Sequence, residues 1–215
     1  MGFLKKFTKQ EISWMMYDWA NSAHSVIVVT ILPIFFDTVA GYTADSVSSM
    51  STWGFATSLA MAIVALSAPF LGVFGDIRGM RKKLFTVFML LGVVSVAGLA
   101  FTPLMDFTAS TAAAGRVAAM VLVLYILSTI GFDASCIYYD AFLTDVTTEE
   151  RMDSVSTLGY GLGYIGGSTI PLLIFLIMNA VGVPMLTCLA FIFALTAVWW
   201  LVFSLPLLKN CEQNT

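Results

Sequence analysis

YDWANSAHSVIVVTILPIFF, residues 17–36, joins a polar half to an apolar half. Its first nine residues include an Asp, an Asn, a His and two Ser, and the remainder is mainly Val, Ile, Leu and Phe. With the residues just before it, this stretch reaches the roughly 20 mostly apolar positions that a helix needs to cross a bilayer. It therefore predicts a membrane-spanning helix with a polar face near its beginning.

The composition extends this prediction to the whole chain. Of its 215 residues, 59% are hydrophobic and 11% are charged, whereas soluble domains carry roughly 25% charged residues. The predicted spans cover residues 12–36, 51–74, 84–104, 116–139, 155–179 and 185–207. These segments are too long for barrel strands, so the predicted fold class is an all-α integral membrane protein. Residues 1–215 are predicted to form a single domain of six transmembrane helices.

The basic residues predict how the helices are oriented. All except Arg116 fall on one side of the predicted spans. They are Lys5, Lys6, Lys9, Arg78, Arg81, Lys82, Lys83, Arg151 and Lys209. Because cytoplasmic loops of membrane proteins are enriched in Lys and Arg, both termini are expected in the cytoplasm. The basic loop is explained by topology, and no nucleic-acid partner is predicted.

The first predicted helix has one polar face. At 100° per residue, Asp18, Asn21, His24 and Ser25 fall within an arc of about 160° that also contains Tyr17. Asp18 lies about 9 Å inside the span, where a charge costs at least about 2.5–3.5 kcal/mol. These residues are therefore predicted to line a substrate or proton pathway. A cap, or a pair with a neighbouring helix, is the alternative role for Asp18, and a hydrogen-bonded structural role is the alternative for His24.

The fourth predicted helix repeats this pattern. Asp133, Cys136 and Asp140 share a face with Tyr125. Because the first and fourth helices run in opposite directions, Asp18 and Asp133 are expected at similar depths, facing one polar cavity. Asp140, at the end of the helix, is expected in water. Tyr125 and Asp133 are added to the predicted pathway.

The fifth predicted helix contains glycines four residues apart. Gly159, Gly163 and Gly167 form two successive small-x₃-small repeats, which allow helices in lipid to approach closely. Helix packing is the favoured role, including packing between two six-helix units. Flexibility and a substrate-facing groove are the alternatives.

Metal and cofactor chemistry is not predicted. The chain has one His, and Cys136, Cys188 and Cys211 have no paired spacing, so the residues needed for a metal site are missing. The cysteines are interpreted as small apolar residues that fill space.

The loop after the second helix, GVFGDIRGMRKKL (residues 72–84), resembles the signature loop of the major facilitator superfamily. That loop follows the pattern G-x-x-x-D-R-x-G-R-[RK]-x-x-L. The matching residues are Gly72, Asp76, Gly79, Arg81 and Leu84. Ile77 and Met80 replace the two arginines of the pattern.

Two further segments resemble the autophagy-related vacuolar effluxer-like branch of that superfamily. They are YDWANSA, residues 17–23, and YDAFLTDVTTEERMDSVSTLGYGLGYIGG, residues 139–167. Asp140 and Thr144 replace the usual Asn and Pro of the branch. The residues in register are Asp145, Glu150, Arg151 and Ser156. The resemblance covers residues 12–170.

This resemblance implies a carrier that moves a small solute by alternating access, driven by a proton or ion gradient. Amino acids are the substrate class it suggests, and the plasma membrane of a bacterium is the expected location. Helices one and four would line the path. The resemblance also implies a gating loop in which Asp76 pairs with Arg81, or with Asp145 or Arg151 of the next loop on that side; Gly72 and Gly79 belong to the same loop.

Members of this family have about twelve spans, and the present chain resembles an N-terminal half. A second six-helix half, from a homodimer or from a separate chain, is therefore expected as a partner within the lipid bilayer. Helices two and five, with the glycines of helix five, are expected at that interface.

Two other functions compete with transport. The first is a non-transporting accessory or remnant protein. The second is an intramembrane aspartyl protease, because Tyr17-Asp18 and Tyr139-Asp140 match one half of its signature. The second half, G-x-G-D, is missing, since residues 73–76 read Val-Phe-Gly-Asp.

Overall fold

The computed structural model describes residues 6–43 and 49–214, and they form a helical bundle. The helices are α1 (Lys9–Thr30), α2 (Leu32–Ala40), α3 (Ser49–Asp76), α4 (Arg81–Leu99), α5 (Thr111–Val146), α6 (Met152–Leu162), α7 (Thr169–Ala180) and α8 (Met185–Asn210). Thr102–Leu104 and Glu149–Arg151 form 3₁₀ turns, and Gly163–Ser168 forms a π-helical turn. Lys5, one of the basic residues counted above, lies outside the described residues.

Six helical segments are long and apolar enough to cross a membrane. They are Lys9–Ala40, Ser49–Asp76, Arg81–Leu104, Thr111–Val146, Glu149–Ala180 and Met185–Asn210. Each of the six predicted spans falls within one of these segments, and the described residues contain no β-strand. The predicted all-α integral membrane class is therefore confirmed. The fourth segment extends to Val146, because the sequence after residue 139 contains no glycine or proline to end the helix.

The first segment is divided into α1 and α2 at Ile31, two residues before Pro33. Proline has no backbone N–H and disturbs the preceding turn of a helix. The backbone hydrogen bonds from Ile31 N to Ile27 O and from Phe35 N to Ile31 O, 3.0 and 3.2 Å, continue across the junction. The first span is therefore one bent helix.

The bundle is built around α1. One side of α1 packs on α8, and another packs on the fifth span, which runs from α6 to α7. α4 packs on α5 and α8, while α3 packs mainly on α5. At the contact of α4 with α5, a Cβ added to Gly131 would meet the backbone of Gly92, so the two helices approach at backbone distance.

The second and fifth spans are the least covered. Only Ala56, Ala60 and Gly75 of α3 are buried. Large apolar side chains on its other faces are open, including Leu66 at 76% exposure. In the fifth span Ile165 is 75% exposed. In a membrane, these two faces are left for lipid or for another protein surface.

Candidate functional site

A cavity of about 240 Å³ lies between α1, α5 and the fifth span. Its lining combines two carboxylates, hydroxyl and amide groups, and three tyrosines. The lining residues are Asp18, Asn21, Ser22, Ser25, Phe132, Cys136, Tyr139, Asp140, Tyr160, Tyr164 and Ser168. The three helical segments thus bring polar groups from distant parts of the sequence to one place within the bundle.

Asp18 is held in place by Tyr139. The side chain of Asp18 is buried, and Tyr139 Oη donates a hydrogen bond of 2.8 Å to its Oδ2. Tyr139 is itself fixed, because its ring stacks on Trp14 at 4.3 Å and its carbonyl accepts from Trp14 Nε1 at 2.9 Å. Within residues 6–43 and 49–214, Asp18 has no ion-pair partner. The structure therefore orients this carboxylate without supplying a cation for it.

The rest of the polar face of α1 divides into two parts. Asn21 and Ser25 line the cavity with Asp18, and Asn21 Nδ2 lies 3.8 Å from Cys136 Sγ. His24 does not line the cavity: its ring stacks on Phe132 at 4.8 Å and lies 5.0 Å from Trp200. Both ring nitrogens of His24 are buried, and neither has a hydrogen-bond partner among the described residues. Phe132, which does line the cavity, covers His24.

On α5, the carboxylate that shares the cavity with Asp18 is Asp140, and Asp133 is not among the lining residues. Asp133, which was expected to face one cavity with Asp18, is therefore not seen to line it, while Asp140, which was expected in water, is exposed and also borders the cavity. Asp133 precedes Asp140 by two helical turns, about 10 Å along the axis, and its neighbour Phe132 does line the cavity, so Asp133 lies at the depth of the cavity without being among its lining residues. The Oδ2 atom of Asp133 is buried and has no hydrogen-bond partner in the part of the chain that the structure describes.

Tyr125 lies away from the cavity, between α5 and α3. Its Oη is 2.9 Å from Thr57 Oγ1, and its ring stacks on Trp53 at 4.2 Å. This residue joins the second span to the fourth in the structure.

The glycines of the fifth span pack on α1 of the same chain. A Cβ added at Gly159 would lie 2.9 Å from Asp18 Oδ2, and one at Gly163 would lie 2.6 Å from Ser22 Oγ. At Gly167 it would meet the carbonyl of Trp19. Because these faces are already covered by α1, the expectation that the glycines pack against a second six-helix unit is wrong.

The π-helical turn was not predicted. It spans Gly163–Ser168 and brings Tyr164 and Ser168 to the cavity. Ser168 Oγ donates to the carbonyl of Ser22 at 3.3 Å, which fixes this turn against α1. Such wide turns occur mostly as single insertions near functional sites, and the pair Gly166-Gly167 is the feature of the sequence that could have indicated it.

A second group of polar side chains lies at the end of the bundle that carries residues 6–11, 75–81, 145–151 and 210–214, here called the basic end. Arg81 forms an ion pair with Asp145 and donates to the carbonyl of Ala141 at 3.1 Å. Its other nitrogen is 3.5 Å from Asp76, whose side chain is 79% exposed. Arg81 thus joins the two segments that the resemblance relates to gating.

Gly72 and Gly79, which both match the signature loop, differ in their surroundings. Gly79 has a φ of +75°, a backbone conformation that favours glycine over other residues. A Cβ at Gly72 would meet nothing within 4 Å. The structure therefore gives a local reason for glycine at position 79 and none at position 72.

Of the three candidate partners of Asp76, the structure shows Arg81, and Arg151 pairs with Glu11 instead. Arg151 Nε and Nη2 donate to the two carboxylate oxygens of Glu11 at 2.9 and 2.8 Å. Thr147 Oγ1 adds a third hydrogen bond to Glu11, at 2.7 Å. Glu11 also completes a capping box with Thr8. The spacing Thr8-x-x-Glu11 could have indicated this role, because it is a known helix-start pattern.

The segment after α8 also contacts the basic end. Gln213 Oε1 accepts from the backbone N–H of Gly79 at 2.9 Å, and Asn214 N donates to Asp145 Oδ1 at 3.1 Å. Cys211, the first residue after α8, is buried, and burial raises the pKa of its thiol to about 12. The thiol therefore stays neutral, in agreement with its interpretation as a space-filling residue.

Comparisons with known proteins indicate the family of this chain. A family model described as "Vacuole effluxer Atg22 like" matches residues 7–149. The uncharacterized MFS-type transporter YxiO of Bacillus subtilis (strain 168) is 39% identical over 219 residues. That alignment covers 98% of the present chain and 48% of YxiO, so the chain spans about half the length of this relative. No solved structure gives a significant match. Because the family model covers more than half of the sequence, the chain belongs to the Atg22-like vacuole effluxer family of MFS-type transporters.

Proposed function

We propose that this chain forms one six-helix half of a transporter that moves a small solute, such as an amino acid, by alternating access. The observation that carries this proposal is the polar cavity around Asp18, set between helices of an otherwise apolar bundle. Polar groups inside a membrane protein are costly and usually mark a substrate or ion path. The setting is an integral membrane protein, for which we propose the plasma membrane of a bacterium, with both termini in the cytoplasm.

We further propose that a proton or ion gradient drives transport through Asp18. This carboxylate is buried, oriented by Tyr139 and without an ion pair in the described part of the chain. The titratable groups that line the cavity with it are Tyr139, Cys136 and Asp140 on α5, Tyr160 on α6 and Tyr164 in the π-helical turn, and Tyr17 adjoins it on α1. Because none of these groups is a cation, a proton is a suitable partner for the charge of Asp18.

The basic end is proposed as the gate. Arg151 connects the beginning of α1 with the segment that follows α5, through Glu11. Arg81 connects α4 with the end of α5, through Asp145. These contacts hold the ends of three helices together, so breaking them is a way for the bundle to change between access states. Asp76, which is exposed, adds a weaker contact to Arg81.

The missing side of the path is proposed to come from a second six-helix half. The chain spans about half of YxiO, and its second and fifth spans expose apolar side chains over most of their length. We propose that these two spans face the second half and that α1 and α5 line the enclosed path. The second half is either another copy of this chain or a separate segment.

A transport assay tests this function. The chain is reconstituted into liposomes and supplied with labelled amino acids, with and without an imposed pH gradient. Accumulation is expected with the gradient, and it should disappear when a protonophore collapses the gradient. Empty liposomes are the control. Solute movement that is equal with and without the gradient would contradict proton coupling.

The mass of the complex tests the second half. In mild detergent or lipid nanodiscs, a mass twice that of the 23.3 kDa chain is expected for a homodimer. A larger, mixed mass after isolation from its host would indicate a separate partner. A monomer that transports solute would overturn the proposal of a second half.

Two other functions have less support. If the chain is an accessory protein, it should associate with other membrane proteins without moving any solute in liposomes. Asp18 and Asp140 both line the cavity, and such a pair of carboxylates is a feature that an intramembrane aspartyl protease would also need. The relatives, however, are named as effluxers and transporters, which favours transport over peptide hydrolysis.

A further inference from the structure

The lining of the cavity carries negative charge and no positive charge. It contains the carboxylates of Asp18 and Asp140, and none of its residues is Lys, Arg or His. Neither carboxylate forms an ion pair anywhere in residues 6–43 and 49–214. A buried carboxylate without a cation is costly. A positively charged ligand would remove this cost on entering.

Asn21 provides an independent reason to expect a ligand at this place. Its side chain is 5% exposed and lines the cavity. Its only hydrogen-bond partner among the described residues is the thiol of Cys136, at 3.8 Å from Nδ2, so the amide oxygen has no donor. The oxygen is not among the described polar atoms that are wholly buried without a partner, so it opens on the cavity, where a ligand group can reach it. The amide oxygen of Asn21 thus lacks a donor, and the carboxylate of Asp18 in the same cavity lacks a cation. A ligand group that donates several hydrogen bonds and carries positive charge would suit both.

Aromatic rings complete the lining. Tyr160 and Tyr164, on successive turns of the fifth span, are 51% and 73% exposed and border the cavity. Tyrosine rings attract ammonium groups through their negative faces. Tyr139 already uses its hydroxyl for Asp18, which orients the carboxylate and leaves its Oδ1 free.

The size of the cavity limits the ligand group that fits. Its volume of about 240 Å³ is below the roughly 300–1,000 Å³ of common ligand pockets.

We infer that this cavity binds the ammonium group of a small organic amine, with Asp18 as the counter-ion and Asn21 as a hydrogen-bond acceptor. This inference rests on the proposed transport function and names the substrate class. The carboxylate of an amino acid would have no cation to bind in this lining and would need one from the second half.

Equilibrium binding to the purified full chain in lipid nanodiscs tests the inference, without any gradient. Three ligands of similar size are compared by calorimetry: butylamine, butyrate and butanol. Butylamine should bind, and butyrate and butanol should not. Asp18→Asn should raise the Kd of butylamine at least about tenfold, because a buried charge pair is lost. Asp140→Asn should raise it by a smaller factor, since Asp140 is exposed.

Asp106→Asn is the matched control, because Asp106 is an exposed carboxylate outside both the cavity lining and the basic end; it should leave the Kd unchanged. Binding of butyrate in preference to butylamine, equal binding of all three ligands, or no binding of any of them would each overturn the inference. So would a butylamine Kd that Asp18→Asn and Asp140→Asn leave unchanged. If butylamine binds as expected but no solute moves in liposomes, the proposed transport function fails while the assignment of the ammonium site stands.

Discussion

The basic end and the cavity both bury carboxylates, but they treat them differently. At the basic end, the side chains of Glu11 and Asp145 are each 2% exposed, and each pairs with an arginine. In the cavity, Asp18 is 5% exposed and receives one hydrogen bond, from the neutral hydroxyl of Tyr139. A carboxylate with a cation from the same chain holds two segments of the bundle together. A carboxylate kept without one is available to a cation that binds and leaves.

Removing Arg81 should have the largest effect on stability. Arg81→Ala would leave Asp145 buried without its cation, and breaking a buried pair in this way costs about 3–5 kcal/mol. The free energy of unfolding, measured by denaturation in mild detergent, should fall by that amount. Arg78→Ala is the control, because it removes the same charge from an exposed position in the same loop. If the two variants are equally stable, the buried pair is not what holds this end together.

Removing Arg151 should cost less. Its side chain is 42% exposed, so water can partly replace it beside Glu11, and a loss of about 1–3 kcal/mol is expected. The double variant Glu11→Gln/Arg151→Ala should recover part of this loss, because the unpaired charge is removed. A double variant whose loss is the sum of the two single losses would show that the two side chains do not interact.

Removing Asp76 should have a small effect on stability and a clear effect on turnover. Its carboxylate is 79% exposed and 3.5 Å from Arg81, so Asp76→Ala should change the free energy of unfolding by less than about 1 kcal/mol. Transport should slow without a change in substrate affinity, because Asp76 does not line the cavity. Asp153→Ala, at an exposed position in α6, should keep normal turnover. Normal turnover in Asp76→Ala as well would remove the proposed gating role.

The six spans and the polar face of α1 could be predicted because lipid imposes simple rules on a sequence. A span must be long and apolar, and a polar group within it must face protein or water. Asp18, Asn21 and Ser25 follow that rule and line the cavity. His24 shares the same face of the helix, yet it is covered by Phe132, since the neighbouring helices decide where the cavity ends.

The pairing of residues from distant segments could not be predicted in this way. A helical wheel places Asp133 and Asp140 on one face of α5, but it does not give the depth at which α1 crosses that face. The partner of Arg151 depends on how the beginning of α1 meets the segment after α5. Likewise, glycine spacing indicated close packing of the fifth span, while the helix that it contacts, α1 of the same chain, is determined by the arrangement of the whole bundle.

The central claim is that Asp18 carries a charge for function and not for folding, and one variant tests it directly. Asp18→Asn keeps an oxygen that can accept from Tyr139 and removes the charge. The account predicts a free energy of unfolding equal to or above that of the wild type, because a buried charge without a cation is lost, together with loss of gradient-driven accumulation in liposomes. A variant that accumulates solute normally, or one that loses stability as Arg81→Ala is expected to, would contradict it.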